Sequence, residues 1–83
     1  MRILLIEDDL VLGSAIQDQL ASEGYSVDRV ERLGAAESAL SVASYDLILL
    51  DLMLPDGRGI PFLRTLRKLG QNTPVIILTA MDQ

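Results

Sequence analysis

The 83 residues include no cysteine and no histidine. Without thiols there is no disulfide framework to staple a small fold, and zinc would lack its usual ligands. Long apolar runs are missing as well. The longest continue for only a few residues, which excludes a membrane-spanning helix and a secretory leader within these residues and sets the expected location in the cytoplasm. Positive charge is scarce: 7 Lys and Arg stand against 12 Asp and Glu, for a net charge of −5. Such a chain does not grip nucleic acid by neutralising phosphates, so any DNA contact would need another domain. What is present is a globular composition, 49% hydrophobic and 23% charged, in a length that allows one domain with one modest core.

The chain alternates between two periods. Ile3 to Ile6 is a short apolar run, too short for a helix, and reads as a strand buried on both faces. Leu12, Ala15, Ile16 and Leu20 then recur at helical spacing, with Asp8 or Asp9 available as a cap and Gly24 suited to a left-handed stop. Ser26 to Val30 reads as a second strand. Ala36, Ala39, Leu40 and Ala43 predict a second helix whose start carries no capping box. Leu47 to Leu50 predicts a third strand, and Pro55, Asp56, Gly57, Arg58 and Gly59 form a segment dense in turn formers. A third amphipathic helix follows, with Pro61 early, Phe62, Leu63, Leu66 and Leu69 on its apolar face, and Gly70 at its end. Arg64, Arg67 and Lys68 read as its solvated side. Pro74 opens a fourth strand, Val75 to Leu78. Strands alternating with helices at these spacings predict right-handed crossovers and a doubly wound parallel α/β sheet.

Asp51 is the residue that does not suit a buried strand. It follows Leu47 to Leu50 directly, and a carboxylate beside such a strand loses hydration unless something holds it. In an open parallel sheet, ligands bind beyond the carboxyl ends of the strands. That rule gathers Glu7 and Asp8 after the first strand, Asp51 after the third and Thr79 after the fourth on one rim. Carboxylates about 4 Å apart repel by roughly 4 kcal/mol at an effective dielectric near 20, a repulsion that a cation between them converts to attraction. Mg²⁺ suits an all-oxygen set with few protein ligands, and Asp51 beside it could act as a nucleophile toward phosphorus. Each residue also has a structural explanation: Glu7, Asp8 and Asp9 as helix caps, Asp51 as a loop carboxylate, Thr79 as an ordinary strand residue. A metal-dependent phosphatase with an Asp nucleophile fits less well, because Met53, two residues after Asp51, leaves no second acid to protonate a leaving group.

Taken together, RILLIEDD, YDLILLDLMLPDGRG and PVIILTA resemble the receiver domain of bacterial two-component response regulators, in order and approximate spacing along the whole chain. The style of DLMLPDG is most similar to regulators with a winged-helix DNA-binding output domain. The resemblance implies a flavodoxin-like receiver fold in which Asp51 accepts a phosphoryl group from a sensor histidine kinase. It implies that Asp8, Asp51 and the Met53 main-chain carbonyl bind Mg²⁺, with Glu7 orienting the metal through water. Thr79 would hydrogen-bond the phosphoryl group and act as the switch, and Asp9 remains a cap. Transfer to Asp51 would be self-catalysed, which makes the chain a signalling phosphoacceptor controlling a transcriptional output domain absent from these residues.

Compared with the family, residues 1–83 read as a receiver truncated after the fourth strand, lacking the fourth helix, fifth strand and fifth helix. The family's Lys and switch aromatic would lie beyond Gln83, and Lys68, on a helix, does not replace that Lys. With strands ordered second, first, third, fourth, the fourth strand becomes an open edge, and apolar side chains of strands one and three are expected to be exposed. These features predict a homo-oligomer, paired through that edge or through exchanged elements. The competing expectation is a fragment that serves only as a self-association or protein-interaction module, without phosphoryl chemistry.

Overall fold

The computed structural model describes residues 1–78. Four parallel strands form the main sheet: β1 (Arg2–Ile6), β2 (Ser26–Val30), β3 (Leu47–Leu50) and β6 (Val75–Ile77), in the spatial order β2-β1-β3-β6. Three helices connect them: α1 (Leu10–Ser22), α2 (Leu33–Val42) and α3 (Gly59–Lys68). Ile3, Leu5 and Leu49 point to one face, where Ile16 and Leu20 of α1 pack. Leu4, Ile6, Ile48 and Leu50 point to the other, beneath Ala36, Ala39 and Leu40 of α2 and Phe62 and Leu66 of α3. Alternate residues of each central strand thus feed two separate cores, which is why these strands read as continuous apolar runs. No helix among the described residues is long and apolar enough to cross a membrane.

The expected strand order and all three helices are present. Asp9 is the cap of α1, accepting from the Leu12 N–H at 3.0 Å, and Gly24 after it takes φ +95°. The structure adds or changes three details. Helix α2 starts at Leu33, three residues before its first periodic alanine. The segment of turn formers from Pro55 to Gly59 is part of a two-stranded antiparallel hairpin, β4 (Met53–Leu54) with β5 (Gly57–Arg58). The expected exposure of strands one and three is not found: Ile3 is 1% exposed, Leu5 0% and Leu49 7%, because α1, Tyr25, Val27 and Leu78 close over them. Apolar exposure falls instead on Leu10 and Val11 of α1 and on Ile76 of the edge strand.

Candidate functional site

The parallel register decides which acids meet. Ile6 pairs with Leu50, so the next residues, Glu7 and Asp51, leave neighbouring strands side by side. Two backbone bonds fix that exit: the Glu7 N–H donates to the Val30 carbonyl and the Asp51 N–H to the Ile6 carbonyl, each at 3.0 Å. Strands in a sheet lie about 4.8 Å apart, so carboxylates at adjoining tips necessarily crowd one another. Glu7, Asp8 and Asp51 each present an oxygen, and the three oxygens lie within 4.8 Å of one another. Asp8 is exposed, whereas Glu7 and Asp51 are buried.

Three carboxylates this close repel one another. Burial pushes the Glu7 carboxyl above its usual range; the Asp9 N–H opposes this, and the neighbouring charges of Asp51 and Asp8 add to it. Glu7 Oε2 accepts from the Asp9 N–H at 3.0 Å. Its other oxygen, Oε1, is buried with no hydrogen-bond partner among the described residues. An unpartnered buried oxygen on a carboxylate that neighbours two further acids is costly. A hard divalent cation, or water bound to one, would satisfy all three groups, and an oxygen-only donor set fits Mg²⁺.

Met53 is joined to this notch through its backbone: its N–H points to Asp51 Oδ1 at 3.5 Å, while the residue as a whole is 53% exposed. The structure therefore brings together Glu7, Asp8 and Asp51, with Met53 adjoining, and leaves Asp9 as a cap. Thr79 lies outside the described residues. Two further residues around the site carry only a turn-former signal in the sequence. Gly59 packs so closely on the segment after Asp51 that a Cβ on it would stand 2.8 Å from the Asp51 carbonyl oxygen, and its N–H donates to the Leu52 carbonyl at 2.8 Å. Asp56 reaches across to the start of α2. The signal for it was available: a helix start without a capping box implies that its orphan N–H groups are satisfied from elsewhere in the chain.

A doubly wound α/β sheet with an acidic cluster at the carboxyl ends of β1 and β3 defines the class of protein. Residues 3–83 match the response regulator receiver domain, and the chain belongs to that family of signalling domains. It is 49% identical over 83 residues to the swarming motility regulation protein RssB of Serratia marcescens, covering 100% of this chain and 38% of that protein. The response regulator protein PmrA of Pseudomonas aeruginosa matches equally, at 49% identity, 100% of this chain and 38% of the relative. The chain thus spans little more than a third of the length of these curated relatives. Among solved structures, the MaeR response regulator bound to beryllium trifluoride is similar, with a TM-score of 0.91 at 34% identity, covering 100% of this chain and 70% of that one.

Proposed function

We propose that this chain is the phosphoacceptor part of a two-component response regulator, with Asp51 as the acceptor. The observation that carries this is the meeting of Glu7, Asp8 and Asp51 within 4.8 Å, two of them buried, at the ligand-binding end of a parallel sheet. Asp8, Asp51 and the Met53 carbonyl would hold Mg²⁺, with Glu7 orienting it through water. When bound, the ion neutralises the carboxylates and the incoming phosphoryl oxygens. An Asp51 oxygen attacks the phosphorus of a phosphohistidine on a sensor kinase, the P–N bond breaks with its electron pair leaving on the imidazole nitrogen, and that nitrogen takes a proton from water. Nothing in the transfer requires a second protein acid, so it is self-catalysed once the groups are aligned. Thr79 hydrogen-bonds the phosphoryl group and begins the switch toward a DNA-binding output domain elsewhere in the regulator. The similar MaeR response regulator is bound to beryllium trifluoride, an anion with the shape and charge of a phosphoryl group, which supports phosphoryl chemistry for this chain. The setting is the cytoplasm.

The test is direct. Incubation with Mg²⁺ and a small phosphoryl donor should add one labile phosphoryl group by intact mass, and Asp51→Asn should abolish it. A folded wild-type chain that forms no such adduct overturns the assignment and favours the interaction-module reading, for which the outer edge of β6 is the supporting surface: among the described residues it pairs with no strand on that side, and Ile76 is 53% exposed.

A further inference from the structure

Helix α2 begins without a local cap. Arg32 holds an extended backbone suited to capping, φ −143° and ψ 156°, yet its side chain makes no capping bond and the first turn contains no acid. Two of its orphan donors are satisfied from far along the chain. Asp56 Oδ1 accepts from the Leu33 N–H at 2.8 Å and Oδ2 from the Gly34 N–H at 3.0 Å, and these two bonds hold the Asp56 carboxyl below its ordinary range.

Asp56 occupies the tip of the β4–β5 hairpin. Met53 pairs with Arg58 and Leu54 with Gly57, so only Pro55 and Asp56 remain in the turn. A ladder of two residues per strand is too short to hold its own shape. Its base is fixed by Gly59 against Asp51 and Leu52. Its tip is fixed by the Asp56 carboxylate on α2, with Gly57 seated against Leu33 so tightly that a Cβ there would stand 2.9 Å from Leu33 Cδ1. Met53 lies between these two anchors.

We propose that Asp56 is a positioning residue for the metal site: by clamping the hairpin tip to the start of α2, it holds the Met53 carbonyl in place for the cation bound by Asp8 and Asp51. This rests on the phosphoacceptor reading above. Mg²⁺ demands near-ideal octahedral geometry at about 2.0–2.1 Å, so a backbone ligand on a loose hairpin is of little use to it. A carboxylate is suited to the clamp because its two oxygens serve two consecutive N–H groups at once.

The experiment separates clamping from simple helix capping. Mg²⁺ affinity is read from the amide shifts of Met53 and Leu54 during titration, beside the Mg²⁺ dependence of adduct formation and thermal stability. Asp56→Ala should weaken Mg²⁺ binding about tenfold, as loss of an outer support of a metal ligand does, and Asp56→Asn, which keeps one acceptor oxygen, should recover part of it. The double variant Arg32→Asp/Asp56→Ala gives α2 its own cap, so it should regain thermal stability while Mg²⁺ binding stays weak. Recovery of both together would reduce Asp56 to a helix cap and overturn the proposal. So would an Asp56→Ala variant that binds Mg²⁺ like a phosphorylatable wild type. A wild type forming no Asp51-dependent adduct overturns the phosphoacceptor reading, and this inference with it.

Discussion

At the scale of single residues, the molecule holds two kinds of uncomfortable charge, and they differ in what can relieve them. Glu7 and Asp51 sit buried at adjoining strand tips beside the exposed Asp8, where a cation held by all three would relieve them. Arg29, on β2, has no such outlet. Its side chain is 12% exposed, and its guanidinium lies over Gly13 of α1, in space that a Cβ at that position would occupy. It makes one long contact with Glu31 at 3.4 Å, and its Nε and Nη2 are buried without hydrogen-bond partners among the described residues. Nothing in the phosphoacceptor chemistry uses it. Arg29→Met keeps the stem and removes the unpaired donors, so it should leave stability unchanged or raise it by about 1 kcal/mol in thermal unfolding. A clear loss of stability would show that those donors have a partner of real value.

Elements are joined here by borrowed polar groups. The start of α2 is capped from the hairpin by Asp56, and the far end of the sheet is stapled by Asp28 of β2. Asp28 Oδ2 accepts from the hydroxyl of Tyr45, two residues before β3, at 2.6 Å and from Arg2 Nη2 of β1 at 2.8 Å; the Arg2 guanidinium also lies 5.1 Å from the centre of the Tyr45 ring. The Tyr45 hydroxyl, then Arg2, hold the Asp28 carboxyl below its ordinary value of 3.8. A carboxylate depressed by folding contributes stability that is fully present above the unfolded value and is lost as pH falls through the lower folded one. Asp28→Asn should therefore be less stable than wild type at neutral pH, and the gap should close on acidification below about 3.8. Thermal unfolding of both proteins across the carboxylate range measures this, and a gap that stays constant with pH would remove Asp28 from the account. Asp56, depressed by its two N–H bonds, adds to the same acid limb of the wild type.

At the scale of the whole molecule, charge and edges pull in opposite directions. A net charge of −5 keeps copies apart, while the outer side of β6, beside Ile76, pairs with no strand among the described residues. An edge strand of this kind is a template for a second chain, and a charge placed on it is the usual remedy. Light scattering should show mass rising with concentration for the wild type and a shift toward monomer for Ile76→Lys. A wild type that remains monomeric at every concentration, with cooperative unfolding, would sink self-association through this edge.

The sequence alone determined the alternation of strands and helices, because continuous apolar runs and helical spacing record directly which side chains must leave water. It also singled out Asp51, since a charge at the end of such a run conflicts with its surroundings wherever the chain folds. The start of α2, the hairpin at residues 53–58 and the value of Asp56 were legible only as an unexplained gap and a cluster of turn formers. Those depend on which segments meet in space, and a helix cap supplied from 23 residues away leaves no local pattern. Register made the same decision for the acids: pairing Ile6 with Leu50, and not a residue to either side, is what converts three separate carboxylates into one site.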